Sequence, residues 1–157
     1  MVNQQISEND KSLELMSPSS PHPCLWFNGN AFEAAQYYCS IFKNSSILSQ
    51  NHFLVEFKLN GKLFKGLNAQ NQFIFNEAIS FVIECENQEE IDYYWDKLKE
   101  DGNEGMCGWL KDKYGISWQI VPKLLGEILK NPTLAQNAIK RMMFMRKFII
   151  ADLINED

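Results

Sequence analysis

The sequence predicts an α+β fold made of two tandem βαβββ modules followed by C-terminal helices. Three observations carry that prediction. Each half opens with a short apolar run and one helical period, the two halves repeat in register, and each ends in a hairpin whose last strand follows a glycine. The chain has 157 residues, 45% of them apolar and 22% charged, enough for a sizeable core without staples.

Residues 1–20, "MVNQQISENDKSLELMSPSS", are polar and end in a Ser/Pro cluster, which reads as a flexible arm. "PCLWF" is a continuous apolar run suited to a buried strand. "NAFEAAQYYCSIF" then places Phe32, Ala35, Tyr38, Ile41 and Phe42 at helical spacing. Asn30 and Glu33 form a capping-box pattern in which the Asn side chain accepts from free backbone N–H groups while Glu33 reaches back. "AISFVIEC" is a second buried strand. "NQEEIDYYWDKLKEDG" repeats the cap with Asn87 and Glu90, carries Ile91, Tyr94, Trp95 and Leu98 on one face, and stops at Gly102. Asn30/Glu33 and Asn87/Glu90 are 57 positions apart, and the same offset lays "PCLWF" on "SFVIE". "LNGKLFKGLN" and "KYGISWQIVP" supply the hairpins, and "LLGEILKNP" leads to an apolar helix around Leu134–Phe148. The expected organisation is an arm over 1–20, a domain over 21–153 with modules near 21–75 and 76–123, a helical extension over 124–153, and a tail over 154–157.

A net charge of -5 with no basic stripe argues against nucleic acid, and the basic "KRMMFMRK" lies on an apolar helix suited to packing or an interface. No apolar run reaches the roughly 18 residues of a membrane span, and no secretory signal is present, so a soluble cytoplasmic protein is expected. Cys24, Cys39, Cys85 and Cys107 are widely spaced with no CxxC, which suits reduced thiols better than disulfides or zinc ligands.

A tandem βαβββ repeat of this size resembles the vicinal oxygen chelate superfamily of glyoxalases, extradiol dioxygenases and bleomycin-resistance proteins. Three blocks in order, "PCLWFNGNAFEAAQYYCSIF", "FNEAISFVIECENQEEIDYYWDKL" and "CGWLKDKYGISWQIVP", resemble the PhnB-like branch, also labelled the 3-demethylubiquinone-9 3-methyltransferase domain. The resemblance covers about residues 21–153 and implies a cupped mixed sheet with helices on its outer face. One departure is the short connection in "ILSQNHFLVEF", where similar proteins have a longer glycine-containing loop that helps roof the cavity.

The resemblance also implies metal-ligand positions on the first and last strand of each module, usually a His and a Glu. Transferred by residue, these are Pro23 and Ser80 on the first strands, and Lys65 and Gln119, each four residues after its glycine, on the last. Pro and Lys are not ordinary ligands, Ser is poor and Gln is a weak neutral donor, so no metal or other cofactor is expected at these positions. His22 lies beside Pro23 but on the other strand face unless a bulge intervenes, and His52 reads as a solvated turn residue.

Gln119 and Ser80 then stand as polar fixtures in an apolar cup. Either they orient a ligand, or Gln119 only satisfies neighbouring groups, as buried amides must. Leu25, Phe27, Lys65 and Trp109 complete the expected cavity, with Trp26 and Trp118 on the opposite face beneath the helices. Catalytic residues are not identified; Glu84 as a buried base and Lys65 as a desolvated amine are the candidates, each with a solvated-surface alternative. "GNEGMCG" is followed by a strand rather than a helix, so the methyltransferase label gains no support from a cofactor turn. The leading expectation is a protein that binds a small, partly apolar molecule without the usual metal. The alternatives are an enzyme with a non-standard metal or acid/base site, and an interaction module; a homodimer is expected through the Met-rich "IKRMMFMRKF".

Overall fold

The structure, a computed structural model, describes residues 20–70 and 72–154, so the expected arm, apart from Ser20, and the last three residues lie outside the described residues. The chain divides into two compact units after residue 71. Each unit has the βαβββ order that the repeat predicts.

The first unit runs β1 (Cys24–Phe27), α1 (Ala31–Ile41), β2 (Ser46–Gln50), β3 (Leu54–Leu59) and β4 (Lys62–Asn68). Its sheet has the order β1-β4-β3-β2, with β1 parallel to β4 and the other pairs antiparallel. Alternation in β3 is strict: Val55, Phe57 and Leu59 are buried beneath α1 while Leu54, Glu56 and Lys58 turn away. Helix α1 approaches closely because Ala31, Ala34 and Ala35 line its buried side, and Tyr38 stacks on Phe57, which stacks in turn on Phe64. Asn60 and Gly61, at φ 49° and 78°, close β3 onto β4 with the paired positive φ values of a type I′ hairpin.

Three expectations fail here. Phe32 is exposed, because the buried stripe of α1 runs through the alanines instead. Asn30 makes no side-chain cap; Asn68 Oδ1 at the end of β4 accepts from the Ala31 N–H in its place, at 3.3 Å. The first strand is not buried on both faces, since Cys24 and Trp26 are exposed.

The second unit runs β5 (Phe81–Cys85), α2 (Gln88–Lys99), β6 (Asn103–Glu104), β7 (Trp109–Lys111), β8 (Ser117–Pro122), α3 (Leu124–Lys130), α4 (Pro132–Met142) and α5 (Ile150–Ile154). Its sheet order is β5-β8-β7-β6, again with a parallel first and last strand. Here the cap holds: Asn87 Oδ1 accepts from the Glu90 N–H at 3.0 Å, and the Glu90 carboxylate accepts from the Glu86 N–H, one residue earlier than a capping box requires. Ile91, Trp95 and Leu98 are fully buried, together worth on the order of 6 kcal/mol of apolar burial. Helix α2 stops before Asp101, which takes the positive φ of 58° that the sequence suggested for Gly102.

The C-terminal helix is shorter than its apolar pattern predicts. It starts on an Asn131 cap with Pro132 in the first turn and ends at Met142, because the following backbone is taken by another partner: Cys107 N–H donates to Met145 O and Gly108 N–H to Arg146 O, both at 2.7 Å. Gln88 then clasps the segment, donating to Phe148 O at 3.0 Å and accepting from Ile150 N–H at 2.8 Å, while Lys147 pairs with Asp92. Phe148 is thereby fully buried. No helix among the described residues is long and apolar enough to cross a membrane.

Gly108 sits at the centre of this clasp with φ 79°, and a Cβ there would lie 2.6 Å from both the Ile120 carbonyl and the Phe148 ring. Gly108→Ala is expected to cost about 3 kcal/mol of stability from left-handed strain and overpacking. The check is a lowered urea midpoint; an unchanged midpoint would show that the clasp is not seated as described.

Candidate functional site

The face of each sheet turned away from its helix is set by the pairing of first and last strands. In the first unit Cys24 pairs with Lys65, Lys65 with Glu56 and Glu56 with Ser49, so these four side chains form one row. Lys65 Nζ lies 3.0 Å from Glu56 Oε1, and Ser49 Oγ donates to Glu56 Oε2 at 2.8 Å. The Ser49 hydroxyl, then Lys65, hold the Glu56 carboxyl below its ordinary range, with a smaller contribution from the His22 charge.

In the second unit the corresponding row is Val82, Gln119 and Trp109. Gln119 Nε2 donates to Ser80 Oγ at 2.8 Å, so the two polar residues transferred from the resemblance do meet. Val82 is 56% exposed on the same face, and Trp109 is partly buried. Trp118, Ile120 and Pro122 point the other way, into the core beneath the helix, as expected for Trp118.

The two rows expose a slip in the repeat. Lys65 faces Cys24 and Gln119 faces Val82, so the first strands correspond at 58 positions, not the 57 that relates the helices. The extra residue lies between β1 and α1, where two residues precede Asn30 but one precedes Asn87, and Gly29 at φ 98° absorbs it. A one-residue slip exchanges the faces of a strand.

This corrects four placements. Phe27 is buried against α1: a Cβ on its neighbour Gly66 would touch Ala31, Val55 and Phe27, and Leu25 shares its side. Neither belongs to the open face. Trp26, expected beneath the helix, is 37% exposed and donates its indole N–H to Ala69 O at 2.9 Å. The strand position equivalent to Ser80 is His22 rather than Pro23; His22 is exposed, with Nδ1 3.2 Å from Ser20 O.

The donor set still does not fit a metal of the usual kind. His22 is one good donor, but Lys65 is an ion-paired ammonium, and Ser80 and Gln119 are neutral and bonded to each other. Among the described residues no group of three or more His, Cys, Asp or Glu side chains could hold a metal ion. Glu84 is exposed on its strand and is not the buried carboxyl a desolvated base requires, while Lys65 lies on β4, an interior strand of its sheet rather than an edge. His52 is exposed in the short β2–β3 connection, whose turn is held by Asn51 Oδ1. "GNEGMCG" spans β6 and leads into β7, with no strand-to-helix turn for a cofactor.

Sequence reasoning missed Asp112. It is buried in the β7–β8 connection, its Oδ1 accepting from Tyr114 and Ile116 N–H and its Oδ2 from the Trp118 indole at 2.8 Å. That carboxylate fixes where β8 begins and therefore where Gln119 points.

The chain matches the 3-demethylubiquinone-9 3-methyltransferase family over residues 19–121. It belongs to that family, the PhnB-like branch of the vicinal oxygen chelate superfamily. Among solved structures it is similar to the PhnB protein of Bacillus cereus at 33% identity, covering 66% of this chain and 99% of that one, with a TM-score of 0.62. Protein PA1353 of Pseudomonas aeruginosa shares 16% identity, covering 66% of this chain and 98% of that one, at TM-score 0.56. The fosfomycin resistance protein FosX of Listeria monocytogenes, solved with Mn(II) and sulfate, shares 17%, covering 73% and 98% at TM-score 0.53. The last two likenesses show the fold alone. A comparison with curated proteins finds no match.

Two predictions test this geometry. Asp112→Ala orphans three donors, one of them a buried indole, and is expected to cost about 3 kcal/mol, read as a lowered thermal midpoint. In native protein Cys24 is expected to react with a thiol reagent while Cys85 does not, because Cys24 is exposed and burial pushes the Cys85 thiol up to about 12. That raised value also stabilises the fold fully below about pH 9 and less as pH rises toward 12, since the unfolded thiol loses its proton first. Labelling of Cys85 as fast as Cys24 would contradict the register of β5.

Proposed function

We propose that the chain binds a small, partly apolar molecule on the open face of its second sheet, and that Gln119 and Ser80 anchor it where metal-dependent relatives of this superfamily place ligands. The observation that carries this reading is the Gln119–Ser80 hydrogen bond at 2.8 Å, with exposed Val82 and the Trp109 indole along the same face. A hydrogen bond between two neutral groups fixes both side chains, and each keeps capacity for another partner: the amide has two oxygen lone pairs, and the hydroxyl a proton. Orientation by a few polar groups on an apolar surface is the usual economy of a small-molecule site. Mn(II) is part of the FosX structure, but the residues at the ligand positions that the family resemblance implies, an ion-paired Lys65 and the mutually bonded Ser80 and Gln119, favour a metal-free site. The free thiols support a reducing, cytoplasmic setting.

A thermal-shift screen of small apolar and semi-polar compounds tests the proposal. Ligands are expected to raise the melting temperature of the chain by a few degrees, undiminished by EDTA, and to lose most of that effect in Gln119→Leu. Stabilisation that EDTA abolishes, or stoichiometric transition metal in protein purified without chelator, would overturn the metal-free reading.

A second reading concerns assembly and rests on the surface after α4. Phe144 is 87% and Met143 61% exposed, adjacent on one turn, which supports a homodimer through this apolar patch. Sedimentation at micromolar concentration is expected to give a dimer that Met143→Lys/Phe144→Lys dissociates; a monomeric parent chain would remove the claim.

A further inference from the structure

We infer that the second unit holds a distinct anchoring pocket at the outer end of its open face, selective for an uncharged, flat molecule with a carbonyl acceptor. This pocket lies apart from the Gln119–Ser80 pair, shares Trp109 with that face, and goes beyond the proposed binding function. The pocket, about 290 Å³, is bounded by Glu77, Asn103, Gly105, Trp109, Lys111 and Ser117, with Glu104, whose carboxylate is paired with Lys99, also in its wall. That volume suits a single ring with one substituent.

Ser117 decides the chemistry. It is 2% exposed, it lines the pocket, and its hydroxyl has no hydrogen-bond partner among the described residues. A buried hydroxyl left unmatched is costly, and deleting it is often neutral or stabilising, so its retention at the floor of a pocket points to a partner from outside the chain. Ser117 pairs in register with Lys111, placing a second donor beside it. Lys111 Nζ is bound by Glu77 Oε1 at 2.6 Å, and the ammonium has two further protons to offer. The Glu77 carboxyl is held below its ordinary range chiefly by this Lys111 hydrogen bond.

The charge balance selects the ligand. An anion would meet the Glu77 carboxylate, and a cation would meet the Lys111 ammonium. A neutral carbonyl accepts from the Ser117 hydroxyl and from Lys111 without breaking the ion pair, while the ring lies along Trp109. Gly105 keeps the wall low: a Cβ there would lie 3.1 Å from the Trp109 Cβ.

Benzamide, benzoate and benzylamine share one ring and differ only in charge, and they make the test. In a two-dimensional 1H–15N NMR titration of the full chain, benzamide is expected to shift the Trp109 indole and the Ser117 and Lys111 amides. It should bind at least five times more tightly than benzoate or benzylamine. Ser117→Ala is expected to weaken benzamide about fivefold while leaving the melting temperature of the free chain unchanged or higher, which separates ligand anchoring from a structural role. No shift at millimolar benzamide, equal binding of the three probes, or unaltered affinity in Ser117→Ala would overturn the inference. Shifts that cluster instead at Gln119 and Ser80 would overturn it while leaving the proposed function standing.

Discussion

The parallel pairing of the first and last strand in each unit determines everything that can be said about the open faces. Side chains alternate along a strand, so one residue of register decides whether Trp26 or Phe27 meets solvent, and whether His22 or Pro23 stands in line with Ser80. In the second unit that register is locked from two directions. Asp112 fixes the start of β8 through three donors, and the Cys107–Gly108 backbone ties the start of β7 to the segment after α4. This frame sets where Gln119 and Ser80 stand, and the hydrogen bond between them fixes their side chains.

The two units use the same topology for different surfaces. The first carries a charged row, Ser49, Glu56 and Lys65, which satisfies itself. The second carries neutral polar groups, an aromatic ring and an exposed valine. An ammonium already paired with a carboxylate is a poor metal ligand and a poor base, whereas a neutral amide beside apolar surface is a good place to seat a molecule. The chemistry of the open faces therefore argues for recognition over metal-centred reaction, and the glycine-rich stretch "GNEGMCG" leads into a strand rather than a helix.

Much of the fold was legible because it is written twice. The recurrence of an Asn cap, an apolar run and a glycine-led last strand gave the βαβββ order of both units. The face assignments of β1 were not legible, because the 57-residue offset of the helices does not extend to the strands and Gly29 hides the extra residue. Asn30 matched a cap by pattern, but Asn68, 37 positions beyond the Ala31 N–H, does the capping, and no local rule finds so distant a partner. The C-terminal helix was overextended for a related reason: its apolar period continues past Met142, while the backbone is claimed by β7. Ser117 shares strand parity with Gln119 and could have been found by carrying the alternation two residues back.

The most direct test is to follow the Gln119 side-chain amide by NMR as Mn(II) and then a bound small molecule are added to the same sample. The account predicts that one equivalent of Mn(II) leaves the amide signals sharp, because no ligand set gathers around them, and that the small molecule shifts them. Selective broadening of the Gln119 amide by Mn(II) would contradict it and return a metal to the centre of this site.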